Sequence, residues 1–205
     1  MEKSILTSHY SLILIGGSAG SLEVIMQVLP VLPKQMQATV VIILHRKNDD
    51  SLLAKLLTGK TSLPVIEAED KTPILPGTVY IAPADYHLLV EKNKTFSLDY
   101  SEKINYSRPS IDVTFETAAE AYGDHLAAFL LSGANADGAE GLLIVKKAGG
   151  LSIAQDTTEA SVEFMPASAI RMGAVNKSMK LEEMKHWFAS LPEKDHQTFR
   201  GQESP

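Results

Sequence analysis

Leu12-Ile13-Leu14-Ile15-Gly16-Gly17-Ser18-Ala19-Gly20, continued by Leu22, Ile25, Met26 and Leu29, is the stretch that decides the fold. Its four leading apolar residues read as a buried strand and its glycines as a tight turn. The apolar residues that follow recur at helical spacing and stop near Pro30. Working outward, Val40 to Leu44 is continuous and β-branched, as parallel strands covered on both faces tend to be, and it runs directly into His45. Ser51 to Leu57 reads as a short helix closed by Gly59.

Between 63 and 100 the texture changes. Leu63 to Ala68, Thr78 to Ala82, His87 to Glu91 and Thr95 to Asp99 are short strand-like runs separated by Pro, Gly, Asp and Asn. They predict a β-hairpin-rich insertion whose clearest turn is Lys92-Asn93-Lys94. Beyond it come a helix over Ile111 to Tyr122, a buried strand over Ala127 to Leu131, and a helix from Gly138 to Ala148 closed by Gly149-Gly150. A strand at Leu151 to Ala154, a helix at Met165 to Arg171, a short strand at Ala174-Val175 and an amphipathic helix at Leu181 to Leu191 complete the pattern. Such alternation predicts an α/β fold: a doubly wound, mainly parallel sheet flanked by helices, with right-handed crossovers. Residues 1–191 are expected to form a single domain and 192–205, polar and aperiodic, a flexible tail.

The bulk properties narrow the function. A chain of 205 residues suits one α/β domain, and a net charge of −6 argues against a nucleic-acid binder. The absence of cysteine excludes disulfides, cysteine-ligated zinc and a thiol nucleophile. No H-E-x-x-H or comparable pattern occurs, so no metal is expected, and no cofactor either. The glycine turn fails the dinucleotide fingerprint because residue 18 is Ser, and no P-loop occurs, which leaves nucleotide binding without a motif. Apolar runs are strand-sized and Met1 to Ser8 has no secretory pattern, so a cytoplasmic protein not embedded in a membrane is expected.

In doubly wound folds, sites gather at the carboxyl ends of the strands. Ser18, His45 and Asp137 fall there. A serine hydroxyl needs a neighbouring base to become a nucleophile, and a histidine at a strand end can serve as that base. A carboxylate behind the histidine would hold its useful tautomer. Each residue also has a local alternative: Ser18 as a helix cap, His45 as a structural histidine, Asp137 as the cap of the helix after it. Arg108 and Asp112 either shape a substrate groove, form a surface salt bridge or start a helix, and Met165 and Met172 read as packing residues. Gly16-Gly17-Ser18-Ala19-Gly20 fits G-x-S-x-G, but the order Ser, His, Asp is not that of the α/β-hydrolases.

Taken together, the motifs carry a family resemblance. They are Leu14 to Gly20, Leu44-His45, Leu75-Pro76-Gly77-Thr78-Val79-Tyr80-Ile81-Ala82-Pro83, Arg108-Pro109-Ser110-Ile111-Asp112, Leu131-Ser132-Gly133, Asp137-Gly138-Ala139-Glu140-Gly141, Ile153-Ala154-Gln155-Asp156 and Met165-Pro166-Ala167-Ser168-Ala169-Ile170. In this order they resemble the catalytic domain of the chemotaxis-receptor protein-glutamate methylesterases, the CheB family. The resemblance implies a triad of Ser18, His45 and Asp137, with an oxyanion held by the backbone at Ala19 and at Ala134. It implies hydrolysis of γ-glutamyl methyl esters on the cytoplasmic helical region of methyl-accepting receptors, with methanol released, and glutamine deamidation by the same acyl chemistry. A separate response regulator or sensor kinase would be a partner, since a catalytic domain beginning by about Tyr10 leaves no room for a receiver domain ahead of it.

Three positions depart from the family pattern. Ala19-Gly20-Ser21 replaces Thr-Gly-Gly, Arg46-Lys47 replaces Met-Pro, and Ala134 replaces a methionine. A module of the same fold that is weak or inactive in catalysis, and docks on a receptor or sensor kinase, is the alternative these departures raise.

Overall fold

A computed structural model describes residues 10–46 and 51–193. Its strands are β1 (Leu12–Gly17), β2 (Thr39–Leu44), β3 (Val65–Glu67), β4 (Val79–Ile81), β5 (His87–Val90), β6 (Phe96–Asp99), β7 (Leu126–Leu130), β8 (Leu151–Gln155) and β9 (Lys177–Met179). Its helices are α1 (Ser21–Val28), α2 (Ser51–Thr58), α3 (Ile111–Tyr122), α4 (Ala139–Lys147), α5 (Phe164–Arg171) and α6 (Leu181–Ala189).

Every residue of β1, β2, β7 and β8 is buried, which follows from covering both faces of the sheet. Side chains alternate between those faces. Ile13, Ile15, Val40 and Ile42 pack with Ile25 of α1, Leu53 and Leu57 of α2, and Trp187 and Phe188 of α6. Leu12, Leu14, Val41 and Ile43 pack with Phe115 of α3, Leu142 and Val145 of α4, and Met165 of α5. The 7-stranded sheet runs β3-β4-β2-β1-β7-β8-β9 with every neighbour parallel. From β1 the chain builds on one side, laying β2, then β3 at the edge and β4 between them, and returns to lay β7 on the other side of β1. This reversal of direction opens a crevice at the carboxyl ends of β1, β2 and β7.

The expected hairpin-rich insertion contains one hairpin, β5–β6, antiparallel from His87↔Asp99 to Val90↔Phe96. Its turn lies at Lys92-Asn93-Lys94, with Lys94 at φ 64 and its N–H on Glu91 O at 2.9 Å. The two earlier runs join the main sheet instead, as β3 and β4. Val79, Tyr80 and Ile81 are all buried, an apolar triplet too short for its pattern to separate an interior strand from a hairpin arm. The hairpin docks on β4 through Phe96 and Tyr80, whose rings sit 4.9 Å apart, edge to face.

Two boundaries differ from expectation. Ala174-Val175 is not a strand, because Gly173 at φ 69 and Ala174 close α5 by donating to Ile170 O and Ala169 O, both at 3.0 Å. The edge strand starts only at Lys177, after Asn176 has bonded Ser152. At the other boundary, Pro192 and Glu193 are tied down: Gln37 N–H donates to Pro192 O at 3.2 Å and Gln37 Nε2 to Glu193 O at 3.1 Å. The remainder of the expected tail, 194–205, lies outside the described residues, as do 1–9.

Candidate active site

Ser18 follows the last residue of β1, where Gly17 pairs with Leu44 of β2, so Ser18 and His45 stand at adjacent strand ends. The His45 N–H donates to Gly17 O at 3.2 Å and the Ser18 N–H to Ser132 O at 2.9 Å. These bonds fix the Ser18 backbone between β2 and β7. Ser18 does not cap α1. That position belongs to Gly20, whose φ of 82 is strained for any residue with a side chain. Among the described residues the half-buried Ser18 hydroxyl has no hydrogen-bond partner, whereas Ser21 Oγ and N–H both return to Ser18 O, at 2.6 and 3.1 Å.

Ser132 pins the far side of this turn. Its Oγ donates to Ala19 O at 2.7 Å and accepts from Val162 N–H at 2.8 Å, while its own N–H is held by Gln155 Oε1 at 2.9 Å. Gly133 is a packing requirement, since a Cβ there would lie 2.5 Å from Met165 Cε and 3.1 Å from Ser18 Cβ. Met165 is thus the packing residue expected. Ala19 and Ala134 are exposed, and neither backbone N–H has an acceptor among the described residues.

Asp137 is fully buried. It is not the cap of α4, which starts from Gly138 without a side-chain cap. Instead it meets the N-terminus of α3, a helix 26 residues away along the chain from Ile111. Its Oδ2 accepts Ile111 N–H at 2.8 Å, and its Oδ1 accepts Asp112 N–H at 3.1 Å and Ser110 Oγ at 2.8 Å. His45 Nε2 lies 2.7 Å from Oδ2. Burial alone would raise the Asp137 pKa. The hydrogen bonds from His45, Ile111 and Asp112 outweigh it, and the carboxyl is held below its usual range. An ionised carboxylate on Nε2 fixes the tautomer: Nε2 carries the proton and Nδ1 is the acceptor.

The hydroxyl on Nδ1 in this structure is that of Ser107, at 3.3 Å, not that of Ser18. Ser107 Oγ also accepts from Asn135 Nδ2 at 3.2 Å and faces Asn105 O at 3.4 Å. The expected trio is therefore brought together as one formed pair, His45–Asp137, with Ser18 on the neighbouring strand end.

Behind Asp137, His87 is buried, with Nδ1 accepting Ser110 N–H at 3.1 Å and Nε2 donating to Glu102 O at 3.0 Å. It holds the residue that in turn holds the carboxylate. His87 opens a strand rather than ending one, so no sequence signal marks it. Ser107, Ser110 and Asn135 gave no separate signal, since only the fold brings them to the imidazole.

Arg108 and Asp112 do not pair. Arg108 Nη1 donates to Tyr100 O at 3.1 Å and Ser101 O at 2.7 Å, and its guanidinium lies 4.0 Å over the Tyr100 ring. Asp112 sits in the first turn of α3 and accepts Gly141 N–H at 2.7 Å. Burial pushes its pKa up to about 7; the Gly141 bond opposes this and the Asp137 charge reinforces it. Arg46 points toward the β3–β4 side, with Nη2 3.1 Å from Glu67 Oε1 and 3.4 Å from Ala82 O, while Lys47 lies outside the described residues.

Comparison with known proteins now bears on this geometry. A family model described as CheB methylesterase matches residues 13–188. A Leptospira interrogans protein whose name assigns it to the protein-glutamate methylesterases/protein-glutamine glutaminases is 44% identical over 184 residues, covering 89% of this chain and 95% of that protein. The protein-glutamate methylesterase FrzG of Myxococcus xanthus is 36% identical over 173 residues, which span 84% of this chain and 52% of that longer protein. Among solved structures, the Thermotoga maritima CheB methylesterase catalytic domain superimposes with a TM-score of 0.83 at 35% identity, covering 89% of this chain and 98% of that one.

Proposed function

The chain belongs to the CheB methylesterase family, and we propose that it hydrolyses γ-glutamyl methyl esters on the cytoplasmic helical region of methyl-accepting chemotaxis receptors. The observation that carries this reading is the buried Asp137 carboxylate, fastened to the start of α3 and to His45 Nε2 at 2.7 Å, which leaves Nδ1 as a base beside the Ser18 strand end.

In the proposed reaction Ser18 Oγ attacks the ester carbonyl while His45 Nδ1 takes its proton. The Ala19 and Ala134 N–H groups stabilise the oxyanion, a role that suits them because neither has an acceptor among the described residues. Collapse breaks the ester C–O bond, and His45 returns the proton to the departing methoxide as methanol. Water, deprotonated by His45, then attacks the acyl-serine and frees glutamate and Ser18. A glutamine side chain follows the same route with ammonia as the leaving group, which accounts for a deamidase activity.

A turn of the Ser18 side chain and the imidazole toward each other precedes attack, since Ser107 occupies Nδ1 at rest. We place the reaction in the cytoplasm, and no helix among the described residues is long and apolar enough to cross a membrane. Methanol release from a methylated receptor tests the proposal: Ser18→Ala is expected to lower the rate by several orders of magnitude with the fold intact. An unchanged rate overturns it.

One observation favours a second reading, a module that binds a receptor or sensor kinase without catalysis: the Ser18 hydroxyl is not on the imidazole. That reading expects receptor binding equal in the wild type and in Ser18→Ala, with no methanol from either.

A further inference from the structure

Ile104-Asn105-Tyr106-Ser107 is a tight turn whose central residues both have positive φ, 49 at Asn105 and 63 at Tyr106. It is closed by Ser107 N–H on Ile104 O at 2.8 Å and Ile104 N–H on Ser107 O at 3.2 Å. A turn of this hand takes Asn well at the first central position and Gly at the second. A bulky aromatic at the second is an outlier that burial normally has to justify. Here none of the described residues does, because Tyr106 is 98% exposed. The turn is also fastened to the site: Asn135 Nδ2 donates to Asn105 O at 3.4 Å, and Ser107 Oγ lies 3.3 Å from His45 Nδ1.

We propose that Tyr106 is an anchor that recognises the polypeptide flanking the esterified glutamate, and so a specificity determinant of this site. The inference rests on the esterase reading above. The occupant is a helical segment of the protein substrate that presents an apolar side chain beside the reacting glutamate. Continuity with the site points to it, since the ring stands one residue from the side chain on the base nitrogen, within reach of the chain that flanks a bound glutamyl group. The segment that carries the turn exposes further apolar surface, Tyr100 at 65% and Ile104 at 40%. Such residues are the type that dominates protein recognition. The turn presents the ring to solvent beside the site, free to meet the incoming polypeptide.

The experiment compares Tyr106→Gly and Tyr106→Phe with the wild type on two substrates, a methylated receptor cytoplasmic fragment and p-nitrophenyl acetate, with urea unfolding in parallel. Glycine suits the positive φ, so a merely structural role predicts an unfolding midpoint at or above that of the wild type and an unaltered KM for both substrates. The anchor predicts that same midpoint, but a KM for the receptor fragment raised about ten-fold or more in Tyr106→Gly, with Tyr106→Phe near the wild type. The small ester, which does not reach the ring, reports the triad separately. An unaltered receptor KM in Tyr106→Gly overturns the anchor and leaves the esterase standing. A wild type that cleaves the small ester but not the receptor overturns the substrate assignment, and the anchor falls with it.

Discussion

Asp112→Asn replaces a carboxyl whose pKa is pushed up to about 7 with an amide that cannot ionise. In the unfolded chain the same group ionises near 3.8. Between those values the native protein binds a proton that the unfolded chain has released, so stability falls as pH rises through the window. The contribution is fully present below 3.8 and lost once pH passes about 7. The gap, at about 1.4 kcal/mol per pH unit, sets a ceiling of roughly 4 kcal/mol. Asp112 is only partly buried and shares its charge with Asp137, so screening and relaxation bring the expected penalty to about 1–2 kcal/mol. Asparagine mimics the protonated acid: its Oδ1 still accepts from Gly141 N–H and its amide offers a donor toward Asp137. Urea unfolding of wild type and variant at pH 5 and pH 8 isolates the effect, since all other titrating groups are common to both. Part of that penalty is already present at pH 5, so the variant is expected to gain about 0.5 kcal/mol over the wild type at pH 8 relative to pH 5. A difference that is the same at both pH values rules out a carboxyl at residue 112 whose pKa is raised by burial.

Asp137→Asn removes the charge that fixes the His45 tautomer and is expected to lower kcat for methanol release by about four orders of magnitude. A loss below ten-fold in steady-state assays would contradict that role. His87→Leu leaves the Ser110 N–H and Glu102 O without their partners, at a cost of about 1–3 kcal/mol by chemical unfolding and with a lower kcat. His87→Asn, which can accept the Ser110 N–H, is expected to recover much of both. Ser107→Ala removes the hydroxyl that competes for His45 Nδ1 and is expected to speed acylation of Ser18 about two- to ten-fold in single-turnover kinetics.

The sheet was legible because its central strands are buried on both faces. Leu12 to Ile15 and Val40 to Leu44 are apolar without a break, and parallel burial leaves no polar face to blur the pattern. Ser18 and His45 stood out as candidates for the same reason, as polar residues where such runs end. Asp137 stood out as a candidate by position, and the alternative offered for it, capping the helix that follows, is not what the structure shows. Sequence proximity points to α4, whereas the fold lays α3 against it, with Ile111 N–H at 2.8 Å. His87, Ser107 and Ser110 were out of reach because no periodicity encodes contacts made between separate loops. Tyr80 and its neighbours show the limit for strands: three apolar residues carry no period, so their place in the main sheet came from tertiary packing.

Site-resolved mass spectrometry after treatment with a fluorophosphonate probe tests most directly whether Ser18, His45 and Asp137 act as one nucleophilic unit. A single adduct on Ser18 that disappears in His45→Ala is expected. An adduct on Ser107, or one on Ser18 that persists without His45, would contradict it.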